Sequence, residues 1–213
     1  MLSDLGWCEI GIGNWSWTYA DPGGDIAARV TPIDPAYRLH AQACLDGPAN
    51  RWLPKVFEIL PLCRDGYVTV MELLYPAREE EGAAMCTALG IPNASGYDIP
   101  ALESSSIDRG DLDLLKLRQR ILALMALGAE TFHFWGGSDI RPGNIMAAKD
   151  GQLKLVDPIF IRGWDVVDAI RQGDLAALRD FTQVQLQDIL TIPVFQSFEE
   201  TEALRRRLAE IYA

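Results

Sequence analysis

Through roughly the first 75 residues apolar and polar positions alternate in short runs, and beyond them apolar residues return every three or four positions, which predicts strands first and helices afterwards. Residues 8–19 read as a strand, a glycine turn and a second strand, and residues 25–30, after the turn Asp21-Pro22-Gly23-Gly24, as a third. Asp34 and Pro35 have the form of an N-cap and first helical residue for a helix over 36–45, with Tyr37, Ala41, Cys44 and Leu45 on its apolar face and Gly47-Pro48 ending it. Residues 56–62 and 67–74 form a hairpin around Arg64-Asp65-Gly66. A helix over 77–89 is followed by a Pro/Asn/Ser/Gly-rich loop over 90–106. The clearest helix covers 111–127, with Leu112, Leu115, Leu122 and Met125 among its apolar positions and Gly128 as its C-cap. Helices over 163–171, 174–190 and 198–212 complete the chain, the last with a capping box from Ser197 to Glu200.

The net charge of −11 argues against a nucleic-acid surface, which needs clustered Lys and Arg, and favours basic or cationic partners. The four cysteines lie far apart with no C-x-x-C pair, so neither a zinc site nor a disulfide framework is indicated; reduced, mostly buried thiols are expected. No run approaches the ~20 apolar residues of a membrane span, and the N-terminus lacks the pattern of a signal peptide, so a cytoplasmic protein is expected.

Candidate chemistry concentrates in residues 136–157, GGSDIRPGNIMAAKDGQLKLVD. Pro142-Gly143 and Asp150-Gly151 are turn pairs, and the apolar run 153–156 delivers Asp157 at its end. Asn144 and Asp157 offer oxygen ligands suited to a hard cation such as Mg2+, leaving Asp139 to orient or deprotonate a hydroxyl. An Asx-type turn before a β-hairpin accounts for Asp139 and Asn144 as well.

The D-x-x-x-x-N of Asp139 and Asn144, followed by a strand ending in Asp157, resembles the catalytic loop and metal-binding aspartate of protein-kinase-like enzymes. GNIM, the Asp-Gly turn and VDP are similar to the early serine/threonine kinases of short-tailed bacteriophages, whereas DIRPGN also resembles the loop of antibiotic and sugar phosphotransferases. The resemblance implies a two-lobed α+β fold, with an antiparallel β N-lobe over residues 1–75 and a shortened helical C-lobe over 76–213. It implies ATP and Mg2+ as cofactors, Asp139 and Arg141 as catalytic residues, and Asn144 and Asp157 as metal ligands. Gly11 and Gly13 then belong to a phosphate-covering turn, Arg29 to the phosphates, and the backbone of Glu72 to Leu74 to the adenine. Phosphoryl transfer to Ser or Thr of a host protein follows; the alternatives are a small-molecule kinase and a pseudokinase that binds and inhibits a host enzyme. The chain departs from the pattern in five places. Ser16 stands at the third glycine, Arg29 at the strand lysine, Gly137-Ser138 before Asp139 where the family has His-Arg, and no Ala-Pro-Glu follows Asp157. The helix after the third strand also carries no glutamate to anchor Arg29, with Gln42 and Asp46 the nearest substitutes.

Overall fold

A computed structural model describes residues 2–91, 111–196 and 198–212. The expected loop over 90–106 and Ser197 of the expected capping box lie largely or wholly outside these residues. The architecture is α+β. Strands β1 (Cys8–Ile12), β2 (Trp17–Ala20), β3 (Ile26–Thr31), β4 (Val56–Pro61) and β5 (Tyr67–Glu72) form one antiparallel sheet in the order β1-β2-β3-β5-β4. The alternation in β5 places Tyr67, Thr69 and Met71 on its buried face. Helix α1 (Pro35–Asp46) covers that face with Ala36, Tyr37, His40 and Ala41, and the Tyr37 hydroxyl lies 3.6 Å from Met71 Sδ. Asp34 caps α1 by accepting the Tyr37 N–H at 3.0 Å. His40 is buried on this helix rather than exposed.

After the short strand β6 (Tyr75–Pro76), α2 (Glu79–Ala88) and α3 (Leu112–Thr131) lead to β7 (Trp135–Ser138). Strand β7 pairs with β10 (Ile159–Ile161), and β8 (Ile145–Ala147) pairs with both β6 and β9 (Leu153–Leu155). Gly151, at φ +84, turns β8 into β9 as its Asp-Gly pair predicts. Helices α4 (Gly163–Gln172), α5 (Gln183–Ile189), α6 (Pro193–Gln196) and α7 (Thr201–Ile211) follow. One core joins the helices to Ile33, Ala36 and Leu53 of the earlier segment.

Three helical expectations are corrected. Gly128 lies inside α3, which ends at Phe132; the indole of Trp135 packs so closely there that a Cβ would come 2.4 Å from it. The buried stripe of α3 is Leu114, Leu117, Ile121, Leu124 and Met125, while Leu112 is exposed, because Asp111 takes the N-cap and accepts the Leu114 N–H. The helix expected over 174–190 is broken: Thr182 and Gln185 form a reciprocal capping box that restarts it as α5. The thiols are free, but only Cys86 is buried.

Candidate active site

The chain from β7 to β10 builds the site. The Asp139 N–H donates to the Pro158 carbonyl at 2.8 Å, extending the β7–β10 pairing by one residue, and a single 3-10 turn, Pro142–Asn144, brings Asn144 back beneath Asp139. The Asn144 amide nitrogen then donates to the Asp139 carbonyl at 2.7 Å, the Asp139 carboxylate at 2.8 Å and the Asp157 carbonyl at 2.9 Å. The Val156 N–H returns a bond to the Asn144 carbonyl at 3.0 Å, so the loop and the end of β9 are locked together. Arg141 Nε donates to the other Asp139 carboxylate oxygen at 3.1 Å.

Arg29 arrives from β3. Its Nη2 donates to Asp157 Oδ2 at 3.0 Å and lies 3.7 Å from Asp34 Oδ2. Its Nε donates to Ser16 Oγ at 2.8 Å, and its guanidinium carbon stacks 3.5 Å from the centre of the Tyr37 ring. Burial works against this charge, but Asp157, Tyr37 and Asp34 hold the guanidinium protonated. Burial raises the Asp157 carboxyl above the usual carboxylate range, against the pull of Arg29. Burial also pushes Asp34 up, with the Asp157 charge adding to the effect and Arg29 opposing it. Two poorly hydrated carboxylates thus share one cation.

A cavity of about 900 Å³ opens over these groups, bordered by Asp139, Arg141, Asn144, Asp157, Arg29 and the turn from Gly13 to Ser16. Asp139, Arg141, Asn144, Asp157, Arg29 and Gly13, all expected at the site, therefore meet at one place. Gly11, Glu72 and Leu74 do not border this cavity. Gly11 sits on the edge strand β1. The Glu72 and Leu73 N–H groups already donate to the Lys55 and Asp25 carbonyls at 2.9 and 3.0 Å, and Leu74 is buried against Ala27, Val56 and Met71. Two N–H groups of the backbone expected to meet adenine, those of Glu72 and Leu73, are thus occupied within the protein.

Reasoning from sequence missed the surroundings of Arg29. Gln42 and Asp46, the expected substitutes for the helix glutamate, bond to each other at 2.6 Å. Asp34, assigned only a capping role, supplies the second carboxylate, and Ser16, met as a missing glycine, supplies the acceptor for Nε. The available signal was compositional: with no glutamate between Glu9 and Glu58, aspartates were the only acids in that segment left to face Arg29.

No protein-family model matches the chain, and no curated protein matches it. Among solved structures it is similar to aminoglycoside phosphotransferase APH(4)-Ia, at 14% identity over 99% of this chain and 95% of that one, with a TM-score of 0.35. It is also similar to WbdD in complex with a kinase inhibitor, at 16% identity over 94% of this chain and 44% of that one, with a TM-score of 0.33.

Proposed function

We propose that the protein is an ATP-dependent phosphotransferase acting on a hydroxyl, with residues 1–75 as a nucleotide-covering lobe and 76–213 as the lobe that carries the catalytic loop. The observation that supports this is the convergence of Asp139, Asn144 and Asp157 on one cavity that the 13–16 turn also borders. Asp139 orients the acceptor hydroxyl, its carboxylate held by Arg141 on one oxygen and Asn144 on the other. Arg141, half-exposed, is placed to exchange Asp139 for the transferred phosphoryl group.

The donors fit a hard cation. With its nitrogen committed to Asp139 and Asp157, Asn144 retains an amide oxygen, and Asp157 contributes a carboxylate. Two oxygen donors, the Asn144 amide oxygen and the Asp157 carboxylate, suit Mg2+, an ion that takes few protein ligands and completes its shell with substrate phosphates and water. When bound, the ion offsets phosphate charge; Arg29 supplies a further fixed positive charge beside Asp157.

For the acceptor we infer Ser or Thr of a protein, as in phage-type kinases acting on host cytoplasmic proteins. A small-molecule acceptor is favoured by one feature: Val194, whose N–H donates to the Asn14 carbonyl at 3.2 Å, borders with Asn14 a cavity whose volume suits a small ligand. Transfer from labelled ATP to host-lysate proteins, in parallel with aminoglycosides and sugars and with Mg2+ present, tests the function and separates the acceptors. Incorporation no greater than that of Asp139→Asn into every acceptor would overturn it in favour of a pseudokinase that binds and inhibits a host enzyme.

A further inference from the structure

We infer that Asp34 is the positioning residue for Arg29, doing from the N-cap of α1 what the absent helix glutamate would do from its interior. This rests on the phosphotransferase reading for its consequence but not for its geometry. Arg29 is held on three sides, by Ser16 at Nε, by the face of Tyr37, and by two carboxylates near Nη2. Of the two acids, Asp157 is the proposed metal ligand, and a bound cation would compete with Arg29 for its carboxylate. Asp34 has no such competing duty.

Asp34 is also the more rigid of the two. Its side chain is only 8% exposed, against 27% for Asp157. One carboxylate oxygen accepts the Tyr37 N–H at 3.0 Å and the other faces Arg29, while its backbone carbonyl accepts the Tyr67 hydroxyl at 2.7 Å. Pro35 follows at the first helical position and fixes the backbone entering α1. The residue that starts the helix therefore sets where the guanidinium stands, and Tyr37, one turn on, supplies the surface on which it lies.

The test uses Asp34→Asn, because asparagine caps a helix as well as aspartate and removes only the charge. In the full chain, the Arg29 Nη2–H resonances, on the nitrogen that faces Asp34, are expected to exchange slowly with water in the wild type and much faster in Asp34→Asn, with Asp34→Glu intermediate. Arg29 Nη2–H signals and exchange rates unchanged in Asp34→Asn overturn the inference, whether or not the protein turns over. In turnover, Asp34→Asn is expected to lower kcat by about a hundredfold with little change in KM for ATP, as misplacement of a group by about 1 Å does. The loss is expected to vanish in an Arg29→Ala background; an undiminished loss there overturns the inference. If wild type transfers no phosphate while the Nη2–H response holds, the functional reading fails and the positioning contact stands.

Discussion

Trp15, in the turn between β1 and β2, rests on Gly163 at the start of α4, where a Cβ would come 2.8 Å from the indole. With the bond from Val194 to Asn14, this docks the turn against the helical part of the chain. Gly163→Ala is expected to lift Trp15 and loosen the turn. Hydrogen exchange at the Gly13 and Val194 amides, which donate to the Ser16 and Asn14 carbonyls, should accelerate. Unchanged protection at both amides would show that the docking does not depend on this contact.

Nucleotide binding separates the two aspartates of the site. Asp157→Ala removes a proposed cation ligand, whereas Asp139→Ala removes the group assigned to the acceptor and leaves Asn144 held by the Asp139 and Asp157 carbonyls. Calorimetry with Mg-ATP is expected to show a loss of about tenfold or more for Asp157→Ala, about 1.4 kcal/mol, and little change for Asp139→Ala. Equal affinities for both variants and wild type would remove the metal assignment.

Gly128→Ala sets two effects against each other. Alanine favours a helix interior over glycine by about 1 kcal/mol, but its Cβ would stand 2.4 Å from the Trp135 ring, and overpacking a core costs about 1–3 kcal/mol or more. Trp135 is held in β7 by its pairing with Ile161, so the steric term should win. Urea denaturation is expected to show net destabilisation of about 1–2 kcal/mol. Trp135→Leu in the same background should recover most of it.

His40 links stability to acid. Burial, assisted by the Arg29 and Arg120 charges, pushes its pKa down to about 3 from 6.5. Between these values the unfolded chain binds a proton that the folded protein does not, so this contribution to stability is present above pH 6.5 and is lost as pH falls. The expected slope is up to about 1.4 kcal/mol per pH unit. Denaturation of wild type and His40→Gln at several pH values between 4 and 7 checks it: the difference between the two proteins should shift in favour of wild type as pH rises. A difference independent of pH would place the histidine in water.

The α+β class was legible in the alternation of β5 and the three- and four-residue spacing of α3, because burial of one face imposes a period that survives in the sequence. So were the Asp34-Pro35 helix start and the Asp150-Gly151 turn, whose determinants are neighbours in the chain. The loop from Asp139 to Asn144 was legible for the same reason: a single 3-10 turn folds it. Local pattern failed where a distant side chain decided the outcome. Gly128 looked like a helix end because glycine often ends helices, but here it makes room for Trp135. The strand–helix order did not reveal that Glu72 and Leu73 satisfy their N–H groups on Lys55 and Asp25.

The order of strands and helices and the pairing of Asp139 with Asn144 could be read from the chain alone, because both depend on residues close together in it. Which partners Arg29 would take was decided only by tertiary structure. The sheet, α1 and β9 bring Ser16, Asp34, Tyr37 and Asp157 to one guanidinium from four separate stretches of chain. A buried cation must be matched by whatever acids packing delivers, and that choice is made in space, between residues as far apart as Arg29 and Asp157.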